Sequence, residues 1–284
     1  MKKIAFVTVV LAMAAAAPAQ GWKGDLLSAK GDLHGMLGVG FDSTYIWRGF
    51  RIFGGDPGVH ILGDVNLFET GFGLSAAGHL PTSNDFENWH RWDYTAYYQN
   101  GFFSGERYAT NFRVGWVYYN YPSNARDYFD LQEGQAILSW PNILPVKGLC
   151  PSYVAIKLWP TSGFDDGSYI AANAPRGGSA SGWMHIFMLD YGFTVAGFIP
   201  QIEEHLIKLH GEIVYNGGVT PLAEPLNDSW SHAVLGVSTD VDLGHNLTLT
   251  PAAYYQFTME RGLQELNGNS DNEFWASVGL KYTF

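Results

Sequence analysis

The sequence predicts an all-β fold, a transmembrane antiparallel up-and-down β-barrel of about 12 strands, and three observations predict it. Hydrophobicity alternates with period two along most of the chain, the connections sort by parity into long and short, and the last strand is apolar on one face and ends on Phe284. Composition agrees. Charged residues make up 15%, where a soluble domain carries about 25%. Glycine (34) and the aromatics (10 Trp, 16 Tyr, 18 Phe) are abundant. A net charge of −11 argues against a nucleic-acid partner, and 46% hydrophobic residues exclude general disorder.

The chain opens as an exported protein does. Lys2 and Lys3 precede an apolar stretch from Ile4 to Ala17, and Ala17-Pro18-Ala19 offers small residues for signal cleavage. Residues 1–19 are therefore read as a signal peptide and 20–284 as one barrel. The stretch is shorter than the roughly 20 residues of a spanning helix. No later run approaches about 18 apolar residues, so any spanning is by strands. Cys150 is the single cysteine, which excludes an intramolecular disulfide and a CxxC pair.

The first alternating run covers residues 33–48, with Leu33, Leu37, Val39, Phe41, Tyr45 and Trp47 on one face and His34, Asp42, Thr44 and Arg48 on the other. Val59, Ile61, Val65 and Leu67 alternate with His60, Asp64 and Asn66; Phe72, Leu74, Ala76 and Leu80 alternate with Ser75 and His79. Trp92, Tyr94, Ala96 and Tyr98 alternate with Arg91, Asp93, Thr95 and Gln99, and the run 108–118 follows suit around Asn111 and Arg113. In 128–140 the apolar phase moves from Phe129 and Leu131 to Ala136, Leu138 and Trp140, which reads as a bulge. Segments 152–159, 183–198, 206–216, 231–243, 246–259 and 273–284 complete the set.

Connections 49–58, 81–90, 120–127, 160–182, 217–230 and 260–272 are long and polar, whereas those between them are mostly short, such as 69–71 and 244–245. A barrel with both termini in the periplasm places the long set outside the cell. Tyr45, Trp47, Trp89, Trp92, Tyr118, Trp159, Trp183 and Trp275 near the outer strand ends, with Tyr98, Trp140, Tyr282 and Phe284 near the inner ends, read as two aromatic girdles. In the last strand Phe274, Ala276, Val278, Leu280, Tyr282 and Phe284 share one face. That strand looks like the C-terminal signal that barrel-assembly machinery recognises, and pairing it with the first strand removes an aggregation-prone edge. Phe274, Val278, Leu280, Tyr282 and Phe284 are its expected assembly residues.

Phe41-Asp42-Ser43-Thr44-Tyr45-Ile46-Trp47-Arg48-Gly49 resembles the opening strand of the TorF-type porin family of bacterial outer-membrane barrels. Val114 to Pro122, a strand running into Tyr-Pro, is similar to a second segment of that family, and the C-terminal strand agrees. Phe50-Arg51-Ile52-Phe53 departs from the polar continuation usual there, and Leu131-Gln132-Glu133-Gly134 matches poorly. The resemblance implies a barrel and a pore, with no substrate.

Chemical motifs are few. His205 and His210 fall on opposite strand faces, unlike a metal pair. Ser75 and His79 share a face but lie about 13 Å apart along a strand, too far for nucleophile and base. Asp165-Asp166-Gly167 lacks the remaining ligands of a calcium loop. No cofactor and no metal is expected. With the apolar face on lipid, the inward charges are Asp42, Asp64, Asp93, Asp190, Glu212, Asp240 and Asp242 with Arg48, Arg91, Arg113, Lys157, Lys208 and Lys281. This mixed lining favours neither ion sign, and opposed charges either hold a constriction open or pair and close it.

The expected function is a channel for passive diffusion of small hydrophilic solutes in the bacterial outer membrane, with membrane lipids and the assembly machinery as further partners. A non-conducting structural or binding barrel, a lipid-acting enzyme and a secreted soluble β-sandwich are the alternatives. The oligomeric state is open.

Overall fold

The structure, a computed structural model, describes residues 33–123, 130–161, 181–197, 203–219, 226 and 228–284. The expected signal peptide, Phe129, and most of the connections 160–182 and 217–230 lie outside the described residues. Among the described residues the alternating, aromatic-rich runs form fifteen strands. These are β1 (His34–Asp42), β2 (Ile46–Trp47), β3 (Phe50–Arg51), β4 (Gly58–Asn66), β5 (Phe72–Pro81), β6 (Arg91–Phe102), β7 (Thr110–Asn120) and β8 (Leu131–Ser139). They continue as β9 (Leu149–Pro160), β10 (Gly182–Ala196), β11 (Glu204–Gly217), β12 (Ser229–Thr239), β13 (Val241–Gly244), β14 (Leu247–Thr258) and β15 (Asn272–Thr283). A 3₁₀ helix (Asn84–Trp89) follows β5, and a short helix α1 (Arg261–Leu266) precedes β15.

Twelve of the strands close a ring in the order β1, β4 to β12, β14, β15 and back to β1, every pairing antiparallel. Closure is made by β15, which pairs β14 on one side and β1 on the other, with Val39 opposite Leu280. Gly35 and Phe284 exchange two backbone hydrogen bonds of 3.0 Å. The last residue is therefore stitched to the first strand, and no free edge remains in the ring. Leu37, Val39, Phe41, Leu74, Val114, Leu235, Phe274, Val278, Tyr282 and Phe284 are exposed on the outer wall, the apolar band of a transmembrane barrel. β13 prolongs β12 past Asp240 and pairs β14 alone.

Several expectations are corrected. The first strand stops at Asp42. Ser43 still exchanges bonds with the Ala276 backbone, and then the chain turns inward, so that Tyr45 (3% exposed) and Trp47 (1%) lie inside the barrel rather than on lipid. Trp275 is also internal, stacked on Tyr254 with ring centroids 5.1 Å apart. Trp89 ends the 3₁₀ helix and packs on the interior cluster. None of these four belongs to a girdle. No bulge interrupts β8: its register to β7 and β9 is continuous, and Leu131, Glu133, Ile137 and Ser139 all point inward. The apparent phase change arises because part of the barrel interior is itself apolar.

Two expected inward charges face outward. Along β9 the residues Ser152, Val154, Ile156 and Leu158 are buried inside, so Lys157 lies on the outer wall. Beyond Asp240 the wall turns Val241 inward, which leaves Asp242 exposed, its carboxylate accepting from the Gly244 N–H at 2.8 Å.

Candidate functional site: the barrel interior

The site begins with the segment between β1 and β4. Asp42 and Gly58 are ladder partners, yet the chain between them runs into the lumen as the β2–β3 hairpin instead of capping the rim. Thr44 donates to the Gly55 carbonyl (3.2 Å), and the Ile52 N–H donates to the Tyr45 carbonyl (3.1 Å). The hairpin tip needs left-handed backbone at Arg48 (φ 54°) and Gly49 (φ 87°). A Cβ on Gly49 would lie 2.6 Å from the His232 ring of β12, so only glycine fits this approach.

Apolar side chains make the hairpin stay. Tyr45, Trp47, Phe50, Ile52 and Phe53 are buried against Val117, Tyr119, Leu131, Val154, Ile156, Leu158, Met184, Ile186 and Val214 of the wall. Val219, Leu226 and Leu263 of α1 join the same cluster from the long-loop end. Fully burying one large apolar side chain contributes about 1.5–3 kcal/mol, so this cluster is the main restraint on the hairpin.

Two arginines then fix it across the diameter. Arg48 pairs with Glu133 of β8 at 2.6 Å, both side chains essentially unexposed, and the Tyr119 hydroxyl donates to the same carboxylate at 2.7 Å. Arg51 donates to both oxygens of Glu273 on β15, at 2.6 and 2.7 Å. Five ring strands separate β8 from β15 in either direction, so the two pairs anchor opposite walls. The Gly49 carbonyl accepts from Gln256 (3.0 Å) and Asn267 (2.8 Å).

Beside the hairpin, polar residues of β4 to β6 form one buried chain. Arg91 donates to both Asp93 oxygens (2.7 and 2.9 Å) and to the Tyr45 hydroxyl (3.0 Å), its guanidinium 4.5 Å from the centre of the Trp47 ring. His79 meets Asp93 at 3.1 Å and His60 at 2.9 Å, and His60 lies 3.1 Å from Asp42. Both His79 nitrogens are thus occupied by His60 and Asp93, and neither serves Ser75.

Towards the short-turn end the interior is polar on both sides. On one, Tyr97 donates to Asp64 (2.9 Å), while Arg113 donates to Gln99 (2.6 Å) and lies over the Tyr97 ring at 4.0 Å. On the other, His210 bridges Asp190 (2.7 Å) and Glu212 (3.4 Å), and Lys208 and Thr250 both donate to Asp240 (2.9 and 2.7 Å). Lys281 is buried on the inner face of β15.

The structure therefore brings Asp42, Arg48, Asp64, Arg91, Asp93, Arg113, Asp190, Lys208, Glu212, Asp240 and Lys281 to the interior and leaves Lys157 and Asp242 outside it. Arg48 arrives on the hairpin and not on a wall strand. Sequence reasoning missed Glu133, Arg51, Glu273 and the hairpin that carries the arginines. Its one signal was Phe50-Arg51-Ile52-Phe53, an apolar stretch where an external loop would be polar.

No family model and no curated protein matches this chain. Solved structures similar to it include the KdgM porin in complex with disordered oligogalacturonate, at 12% identity over 88% of this chain and 99% of that one, with a TM-score of 0.49. The NanC porin is 11% identical over 87% and 98%, also at 0.49. LpxR from Salmonella typhimurium is 9% identical over 88% and 100%, at 0.46. The assignment of a closed antiparallel barrel stands on the hydrogen-bonded pairing of β1 with β15.

Proposed function

We propose that the protein is a bacterial outer-membrane barrel of porin type, a passage for small hydrophilic solutes whose bore is narrowed by its own hairpin. The observation that carries this reading is the lining. Charged side chains project inward from eight of the twelve ring strands, and burying them in a dry, purely structural barrel costs more than an apolar filling of the same volume. A water-filled short-turn half would remove much of that cost. The resemblance to TorF-type porins points the same way, and the apolar outer wall supports residence in a membrane.

The crossing of the lumen by the hairpin favours a second reading, a barrel that does not conduct. Single-channel recording separates the two. Because Asp42 and Gly58 are ladder partners, residues 43–57 can be replaced by a two-residue Asn-Gly turn. The proposal expects small unitary currents from the natural chain and a several-fold larger conductance from the shortened one. Silence from both, with each inserted and heat-modifiable, would establish the non-conducting reading.

A further inference from the structure

We propose that the outer wall at β9 and β10 binds the phosphate headgroup of an anionic lipid, with Lys157 and His185 as its ligands. The inference rests on the membrane-barrel reading above. Short of the strand ends, Lys157 is the one Lys, Arg, Asp or Glu on the outward positions of the described wall strands. It stands opposite Trp183 in the β9–β10 ladder, and His185 stands opposite Ala155, so the two basic side chains are diagonal neighbours on one face.

Such a placement has a cost unless something answers the charge. An outward lysine is costly at the bilayer midplane and far less so near an interface. Lys157 is three residues from the end of β9 on the long-loop side, and its stem can carry the ammonium towards headgroup level. Among the described residues Nζ has no carboxylate partner. Its neighbours are the Ser181 hydroxyl at 3.4 Å and the Trp183 ring at 5.7 Å.

His185 is held ready beside it. Its ring lies parallel to those of Tyr153 (9°) and Trp183 (6°), and Tyr153 Oη is 2.7 Å from Nδ1. With Nδ1 accepting from the tyrosine, the neutral ring carries its proton on Nε2, a donor free to meet a phosphate oxygen. Further along β10 from the long-loop end, Phe187 packs on Trp230 with centroids 5.9 Å apart, both 45% exposed, a platform for an acyl chain. A cation, a donor and an apolar floor in that order match a phospholipid from headgroup to tail, whereas an aromatic interface with a second copy would gain nothing from the lysine.

The test is native mass spectrometry of the full chain released from phosphatidylcholine vesicles containing 20 mol% phosphatidylglycerol, a composition of about that value serving as probe. The natural chain is expected to retain phosphatidylglycerol over phosphatidylcholine. Lys157→Glu should abolish the preference, Lys157→Gln should reduce it about five-fold, and Lys157→Arg should keep it. Equal retention in Lys157→Glu overturns the site, as does displacement of the lipid by millimolar inorganic phosphate, or a stable oligomer that survives Lys157→Glu and excludes lipid. A natural chain without heat-modifiable mobility would overturn the membrane reading itself, whereas an inserted barrel with no lipid preference overturns the site alone.

Discussion

Arg48 and Glu133 set the terms at the scale of single residues. Their pair is essentially removed from water, so deleting one partner leaves a buried charge uncompensated, at a cost of about 3–5 kcal/mol. Arg48→Ala is therefore expected to lower the temperature at which the folded barrel loses its fast mobility on gels. Arg48→Met combined with Glu133→Leu should recover most of that loss, because neither charge then remains. If the double variant melts no higher than the single one, the pair is not what the arginine contributes. The partner was not readable in advance. The run 128–140 carries two apolar phases, which leave the face of Glu133 undecided, and nothing in either reveals that an arginine 85 positions away, on a segment read as continuous strand, turns in to meet it.

Among the elements, the wall strands and the hairpin differ in how they declare themselves. Wall strands were legible because lipid outside enforces an apolar parity. β15 shows this best, with Phe274, Val278, Leu280, Tyr282 and Phe284 outside and Glu273, Trp275 and Lys281 inside. The hairpin was not, because Tyr45 and Trp47 continue the apolar parity of Phe41 while facing the opposite environment, and alternation cannot distinguish lipid from an apolar interior. The same blindness made Leu131 look like a register error. β15 also carries a prediction. Phe284→Asp puts a charge where the strand both closes the ring and presents its apolar face, so the amount of heat-modifiable barrel in membranes should fall severalfold. Unchanged levels would remove Phe284 from assembly.

At the scale of the whole molecule, the described connections divide as the sequence indicates. Residues 43–57 leave the ring and return to it at one end, where 82–90 and 259–271 also lie, while 67–71, 103–109 and 140–148 lie with Leu33 and Phe284 at the other. If the long-loop end faces outward, Arg261→Cys in a Cys150→Ser background should react with an impermeant maleimide on intact cells, since Arg261 heads the exposed side of α1. Ser104→Cys, in a turn at the opposite end, should react only after permeabilisation. The reverse pattern would invert the topology.

The pairing of Asp42 with Gly58 has a consequence for how such a molecule can change. The hairpin leaves and re-enters the rim at one point, whatever contacts hold it further in. Its length is then variable wherever its residues bond to no wall strand: an insertion or deletion there alters neither strand number nor stagger, because Asp42 and Gly58 remain ladder partners whatever lies between them. Wall and filling can diverge at separate rates, and a population of descendants could share one shell while each carried a different stopper.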